Sequence, residues 1–133
     1  MNQAWMIDDD EEMSQALKMM MKLLGYELRI FDNARSGALA LLSGALPGLM
    51  FIDLNMPEVS GLDLLEFIRS KPRWNQLPVI MLSAETADVT VDDALLRGAD
   101  GYLFKPVSMK ELKEGITRAA TNRAAASAGK PAS

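Results

Sequence analysis

The chain has 133 residues, a net charge of −4 and an ordinary globular composition of 49% hydrophobic and 24% charged residues, so one domain with its own core is expected. It contains no cysteine and no histidine, which excludes disulfides, thiolate metal sites, a cysteine nucleophile, a Ser-His-Asp triad and a phosphohistidine of its own. Five of the 18 acids lie together in Asp8-Asp9-Asp10-Glu11-Glu12 and the others nearly balance the 14 Lys and Arg, so the acidity marks a site and no basic stripe suggests nucleic-acid binding.

The N-terminus, Met1 to Asp8, has neither a basic nor a long apolar region, and no apolar run approaches the roughly 20 residues that span a bilayer. A soluble cytoplasmic protein that binds no membrane is expected. Ala4-Trp5-Met6-Ile7 reads as a first strand that stops at the acidic cluster. Met13, Ala16, Leu17, Met20, Met21 and Leu24 then fall on one helical face, which Gly25 ends. Leu28 to Phe31 is a second strand, and its Arg29 is unwelcome in a strand covered on both faces, so this strand belongs at an edge. Ala34, Ala38, Leu41 and Leu42 mark the second helix, stopped by Gly44 and Pro47.

Leu49-Met50-Phe51-Ile52 runs straight into Asp53, and Pro57 breaks the chain soon after, as expected of a strand buried on both faces that emerges at a sheet rim. Ser60 with Asp63 caps a third helix whose Leu62, Leu65 and Ile68 face the core. After a loop from Pro72 to Pro78, Val79 to Leu82 is a fourth strand ending at Ser83. Ala87, Val91, Ala94 and Leu95 give a fourth helix, stopped by Gly98, and Tyr102-Leu103-Phe104 a fifth strand ending at Lys105-Pro106. Ser108 and Glu111 form a capping box, with Val107 and Leu112 as its staple. Met109, Leu112, Ile116, Ala119 and Ala120 supply that helix's buried face, and residues 124–133 have no apolar period and read as a disordered tail or linker behind a domain of residues 1–123.

Five strands alternating with five helices predict an α/β fold, a doubly wound parallel sheet whose ligands bind beyond the carboxyl ends of the strands. Those ends carry Asp8, Asp9 and Asp10, then Asp53, Ser83 and Lys105. Carboxylates gathered there repel one another, and Lys105 alone cannot neutralise Asp8, Asp9 and Asp53. A hard divalent ion with oxygen ligands, Mg2+ or Mn2+, is the natural remedy. Asp10, Glu11 and Glu12 are read instead as a helix start favoured by the dipole. Beside such an ion, Asp53 has the chemistry to attack a phosphoryl group, Lys105 to neutralise its oxygens and Ser83 to donate to one of them.

These residues resemble the receiver domain of two-component response regulators over roughly residues 3 to 122: Asp8-Asp9, Asp53 with Met56-Pro57 and Gly61, Ser83-Ala84, Gly98-Ala99-Asp100-Gly101-Tyr102 and Lys105-Pro106. The resemblance implies a flavodoxin-like sheet of order 2-1-3-4-5. It implies that Asp53 is the phosphoacceptor, a signalling site rather than an enzyme's, which catalyses only its own phosphorylation and dephosphorylation. By the same resemblance Asp9 and Asp53 bind Mg2+ by side-chain oxygens, Asn55 by its carbonyl and Asp8 through water. Ser83 and Tyr102 would be the switch pair, Lys105 the phosphate-binding lysine, Lys105-Pro106 a cis bond, and Asn55 and Glu85 the residues that tune the lifetime of the phosphoryl group. The implied donor is a phosphohistidine on a sensor histidine kinase or histidine phosphotransfer protein. The implied output is a separate partner acting on the fourth helix, fifth strand and fifth helix; the resemblance leaves open whether phosphorylation drives dimerisation. A haloacid dehalogenase-type phosphatase would carry Asp-x-Asp where this chain has Asp53-Leu54-Asn55. A degenerate receiver, binding a partner without phosphorylation, is the remaining alternative.

Overall fold

The computed structural model describes residues 2–56, 59–84 and 91–128. Its strands are β1 (Asn2–Ile7), β2 (Tyr26–Phe31), β3 (Leu49–Asp53), β4 (Val79–Ser83) and β5 (Gly101–Phe104). Between and after them come α1 (Glu11–Leu23), α2 (Ala34–Leu42), α3 (Gly61–Arg69), α4 (Val91–Leu96) and α5 (Met109–Ser127), with a short 3-10 turn at Pro72–Trp74. All strand pairs are parallel, in the order β2-β1-β3-β4-β5. This is the flavodoxin-like arrangement. β3 and β4 are buried along their whole length, as their unbroken apolar sequences require, and β2 lies at the edge. There Arg29 keeps its charge exposed and lays its guanidinium 4.6 Å over the Phe31 ring.

Alternation along the strands splits the core in two. Trp5, Ile7, Met50, Ile52 and Met81 pack against α2, α3 and α4 through residues such as Leu41, Leu65, Ile68 and Ala94. Ala4, Met6, Phe51, Ile80 and Leu82 pack on the other side against Leu17 and Met21 of α1 and Leu112 and Ala119 of α5. Helices on both faces force the strands to be apolar on both sides, and this holds the rim residues at fixed heights. Asp10 caps α1, Ser60 caps α3, and Ser108 with Glu111 forms the expected box at α5.

Several helical positions face the other way from the sequence expectation. Ala16, Leu42, Leu95 and Ala120 are exposed, while their neighbours Leu17, Leu41, Ala94 and Ala119 are buried. Successive helical residues point about 100° apart, so a narrow buried stripe takes one member of such a pair. Ser14 is buried on α1, Leu62 is only half-buried, and Val91 is exposed. Ala87 and Pro57 lie outside the described residues. The helix α5 runs through Ala124 to Ser127, past the expected start of the tail, because alanine favours helix without needing a buried face.

The amino end of the sheet is closed by charge. Arg69, at the end of α3, donates from Nη2 to Asp100 Oδ2 (2.8 Å) and the Leu77 carbonyl (2.9 Å). Its Nε reaches the Gly98 carbonyl (2.8 Å) and its Nη1 the Trp74 carbonyl (3.3 Å). Asp100 Oδ2 also accepts the Val79 N–H, and Asp100 Oδ1 lies 3.4 Å from Arg123 Nε. Burial pulls the Arg69 pKa down to about 10 against the pull of Asp100, which leaves it charged at neutral pH. Burial pushes Asp100 upward, against the Val79 N–H and both arginines. Removing Arg69 takes the closer of two cations from buried Asp100 and a donor from the carbonyls of Trp74, Leu77 and Gly98 at once. Arg69→Met should therefore cost about 3–5 kcal/mol in urea unfolding at neutral pH. A loss below about 1 kcal/mol, the range of a surface pair, would show that the network does not hold this end together.

Candidate functional site

Register brings the site together before any side chain chooses a rotamer. Ile7 of β1 pairs with Ile52, Asp53 with Leu82, and Ser83 with Phe104, so Asp8, Asp53, Ser83 and Lys105 all leave the sheet at its carboxyl rim. The loop after β3 is set by a close approach: a Cβ on Gly61 would overlap the Asp53 carbonyl oxygen, so only glycine lets α3 begin against the backbone of Asp53.

Asp8 is 1% and Asp53 4% exposed, two acids nearly out of water at adjacent strand ends. Lys105 Nζ lies 2.8 Å from Asp8 Oδ2 and 3.4 Å from Asp53 Oδ1. Asp8 Oδ1 accepts the Asp10 N–H (2.9 Å), and Asp53 Oδ1 the Asn55 N–H (3.3 Å). Burial and the neighbouring Asp8 charge raise the Asp53 pKa to about 6, against the opposing pull of Lys105 and the Asn55 N–H. Burial pulls Lys105 down, but Asp8 and Asp53 outweigh it and leave its pKa raised. One ammonium thus serves two carboxylates. Asp9 is exposed at the mouth, and one oxygen each from Asp8, Asp9 and Asp53 lie within 4.8 Å of one another, close enough to share a cation. An all-oxygen set whose members repel suits a hard divalent ion.

The remaining predicted residues are placed as follows. Ser83 is fully buried and its Oγ donates to the Ala84 carbonyl (2.8 Å). Tyr102 is half-buried against the α2–α3–α4 side of the core, its ring centroid 5.1 Å from that of Phe104. The Lys105-Pro106 bond is cis. Asn55 is exposed beside Asp53, and Glu85 lies outside the described residues. Two contributions escape the sequence reading. The Asp10 N–H orients Asp8 as well as starting α1, and the steric demand of Gly61 is visible only once α3 is docked. Among the described residues no helix is long and apolar enough to cross a membrane.

A family model for the response regulator receiver domain matches residues 4–117. The chain is 35% identical over 113 residues to the chemotaxis protein CheY1 of Helicobacter pylori, covering 83% of this chain and 90% of that protein. It is 36% identical over 122 residues to the transcriptional regulatory protein KdpE of Mycobacterium tuberculosis, covering 92% of this chain and 52% of KdpE. The chain spans about half the length of KdpE, and it spans less of some other relatives. Among solved structures, the chemotaxis response regulator CheY4 of Vibrio cholerae superposes with a TM-score of 0.78 at 26% identity, over 90% of this chain and 98% of that one.

The raised pKa of Asp53 has a measurable sign. A carboxyl raised by folding adds stability while protonated, below its unfolded value near 4, and that contribution is lost as pH rises through about 6. Asparagine never ionises. In metal-free buffer the gain in stability from Asp53→Asn should be near zero below about pH 3 and grow to roughly 3 kcal/mol above pH 7. Millimolar magnesium should raise the melting temperature of the wild type and leave the variant unmoved. A gain that stays flat with pH would refute the shift.

Proposed function

The chain belongs to the response regulator receiver domain family, and on that premise we propose that it takes a phosphoryl group onto Asp53 from the phosphohistidine of a sensor histidine kinase or histidine phosphotransfer protein. The observation that carries this reading is one nearly buried carboxylate, Asp53, held between Asp8 and Lys105 at the rim. An Asp53 oxygen attacks phosphorus as the P–N bond to the donor imidazole breaks; that bond's electron pair stays on the ring nitrogen, and an acyl phosphate remains on Asp53. The Asn55 N–H and Lys105 both hold Asp53 Oδ1, which fixes the orientation of the attacking group. Asp8, Asp9 and Asp53, with the Asn55 carbonyl, would hold one Mg2+, which supplies positive charge to the phosphoryl oxygens. Lys105 supplies the protein's own positive charge at the same place.

Signalling then follows from the neighbours. The Ser83 hydroxyl would leave the Ala84 carbonyl for a phosphoryl oxygen, and Tyr102 would turn into the space beside it. The output face is the α4–β5–α5 side, where Leu95, Leu96 and Phe104 are exposed to an output partner. For hydrolysis a water attacks phosphorus in line, the P–O bond to Asp53 breaks, and the carboxylate is restored. Asn55, exposed beside Asp53, leaves that path open to water, so the phosphoryl group is short-lived, on a scale of seconds to minutes. A donor of this kind places the domain in the cytoplasm.

Acetyl phosphate with magnesium should add one phosphoryl group by intact mass, and Asp53→Asn or a chelator should abolish the addition. Lys105→Met should slow uptake by roughly 100-fold while keeping the fold. Asn55→Met should lengthen the lifetime of the label about tenfold, some 1.4 kcal/mol of barrier. Label persisting on Asp53→Asn would move the site elsewhere, and no uptake at all would leave a phosphorylation-independent binding module.

A further inference from the structure

The helix α2 is apolar on two stripes. Ala34, Gly37 and Leu41 face the core. Arg35, Ala38, Leu39 and Leu42, spaced i, i+3, i+4, i+7, form a second stripe that faces outward, with Leu39 59% and Leu42 47% exposed. On the facing side of α3, behind buried Leu64, Leu65 and Ile68, stand exposed Asp63 and half-buried Phe67, with exposed Val59 just before the helix. The two outer stripes line one groove of about 490 Å³. Leu39 and Leu42 stand together on this outer face beside the groove, and adjacent exposed apolar side chains at a groove offer a contact surface.

The charges at the groove select its occupant. Among the described residues its lining carries one of each sign, Arg35 in the first turn of α2 and Asp63 in the first turn of α3. Both helices pack on the same face of the sheet and run antiparallel to its strands, so both begin at the carboxyl rim. A two-fold axis lying along the groove would place α2 of one copy over α3 of the other with both N-termini at the same end. Arg35 then faces the partner's Asp63, and the symmetry repeats the pair. The surface is complementary to itself.

We propose that the α2–α3 groove binds a second copy of this chain, with Leu39 and Leu42 of each copy seated in the groove of the other and two symmetric Arg35–Asp63 pairs across the axis. Each copy contributes two exposed leucines and one exposed ion pair, so the dimer is expected to be weak and to populate within the concentration range tested below. The surface is separate from the α4–β5–α5 side, and the pairing needs neither phosphate nor metal.

Sedimentation equilibrium of the unphosphorylated, metal-free full chain, from a few micromolar to about 1 mM, tests it. The wild type should show a monomer–dimer equilibrium. Leu39→Glu should remove it, and Arg35→Glu and Asp63→Arg should each weaken it by about tenfold. The double variant Arg35→Glu/Asp63→Arg, which swaps the charges, should restore it. Circular dichroism verifies the fold of each variant; should Leu39→Glu fail to fold, the charge swap alone decides. A monomer at every concentration, a dimer indifferent to these variants, or a double variant no better than the singles overturns the proposal.

Discussion

Asp8 and Asp53 meet at adjacent strand ends with almost no water around either of them. Two like charges in that position cost several kcal/mol unless a cation stands between them, and Lys105 is the cation the fold provides. To place its ammonium there, the chain must end β5 one residue before Lys105 and turn away at once through Pro106. The Asp10 N–H at the start of α1 and the Asn55 N–H after β3 each take one carboxylate oxygen, so the loops are shaped by the same requirement. The compensation is incomplete. One ammonium for two buried acids leaves a deficit of positive charge, and that deficit is what makes the rim receptive to cations and to groups that bring them.

The opposite end of the sheet inverts the ratio and the outcome. There two arginines share one carboxylate, and the surplus positive charge is absorbed by the carbonyls of Trp74, Leu77 and Gly98, which accept from Arg69. Carbonyl dipoles are fixed acceptors, whereas the carboxylates at the rim share one ammonium and can take further partners. The domain thus has an inert end that ties α3, β4, β5 and α5 together, and a responsive end built on the same strands.

Much of this was legible in the chain. A single arginine, Arg29, placed β2 at the edge, and unbroken apolar runs placed β3 and β4 inside. The strand-end positions of Asp8, Asp53, Ser83 and Lys105 predicted the rim, because a parallel sheet presents all its carboxyl ends together. Other features have no local signature. Arg69 and Asp100 are 31 positions apart and Asp100 and Arg123 are 23 apart, and neither spacing belongs to any periodicity. Neighbours such as Leu41 and Leu42 look equally apolar, and only the docked helix decides which one faces inward. The clearance at Gly61 depends on where α3 lands, which is a property of packing across the loop rather than of the loop's own residues.

The hydroxyl of Ser83 carries a single proton, and in this structure it is committed to the Ala84 carbonyl. Any anionic acceptor arriving at the rim must compete for it. A hydrogen bond to a neutral carbonyl contributes about 1 kcal/mol and one to a charged oxygen about 2, so the exchange favours the newcomer by roughly 1 kcal/mol. That difference is about fivefold in population, enough to tilt a two-state equilibrium and too little to throw it fully. A near-complete shift between two arrangements needs about 5.5 kcal/mol, and most of that must come from the charges beside the hydroxyl. On the phosphoacceptor reading proposed above, Ser83 would therefore act only as a weighting on that balance, and an alanine in its place would narrow the range of the response without abolishing it.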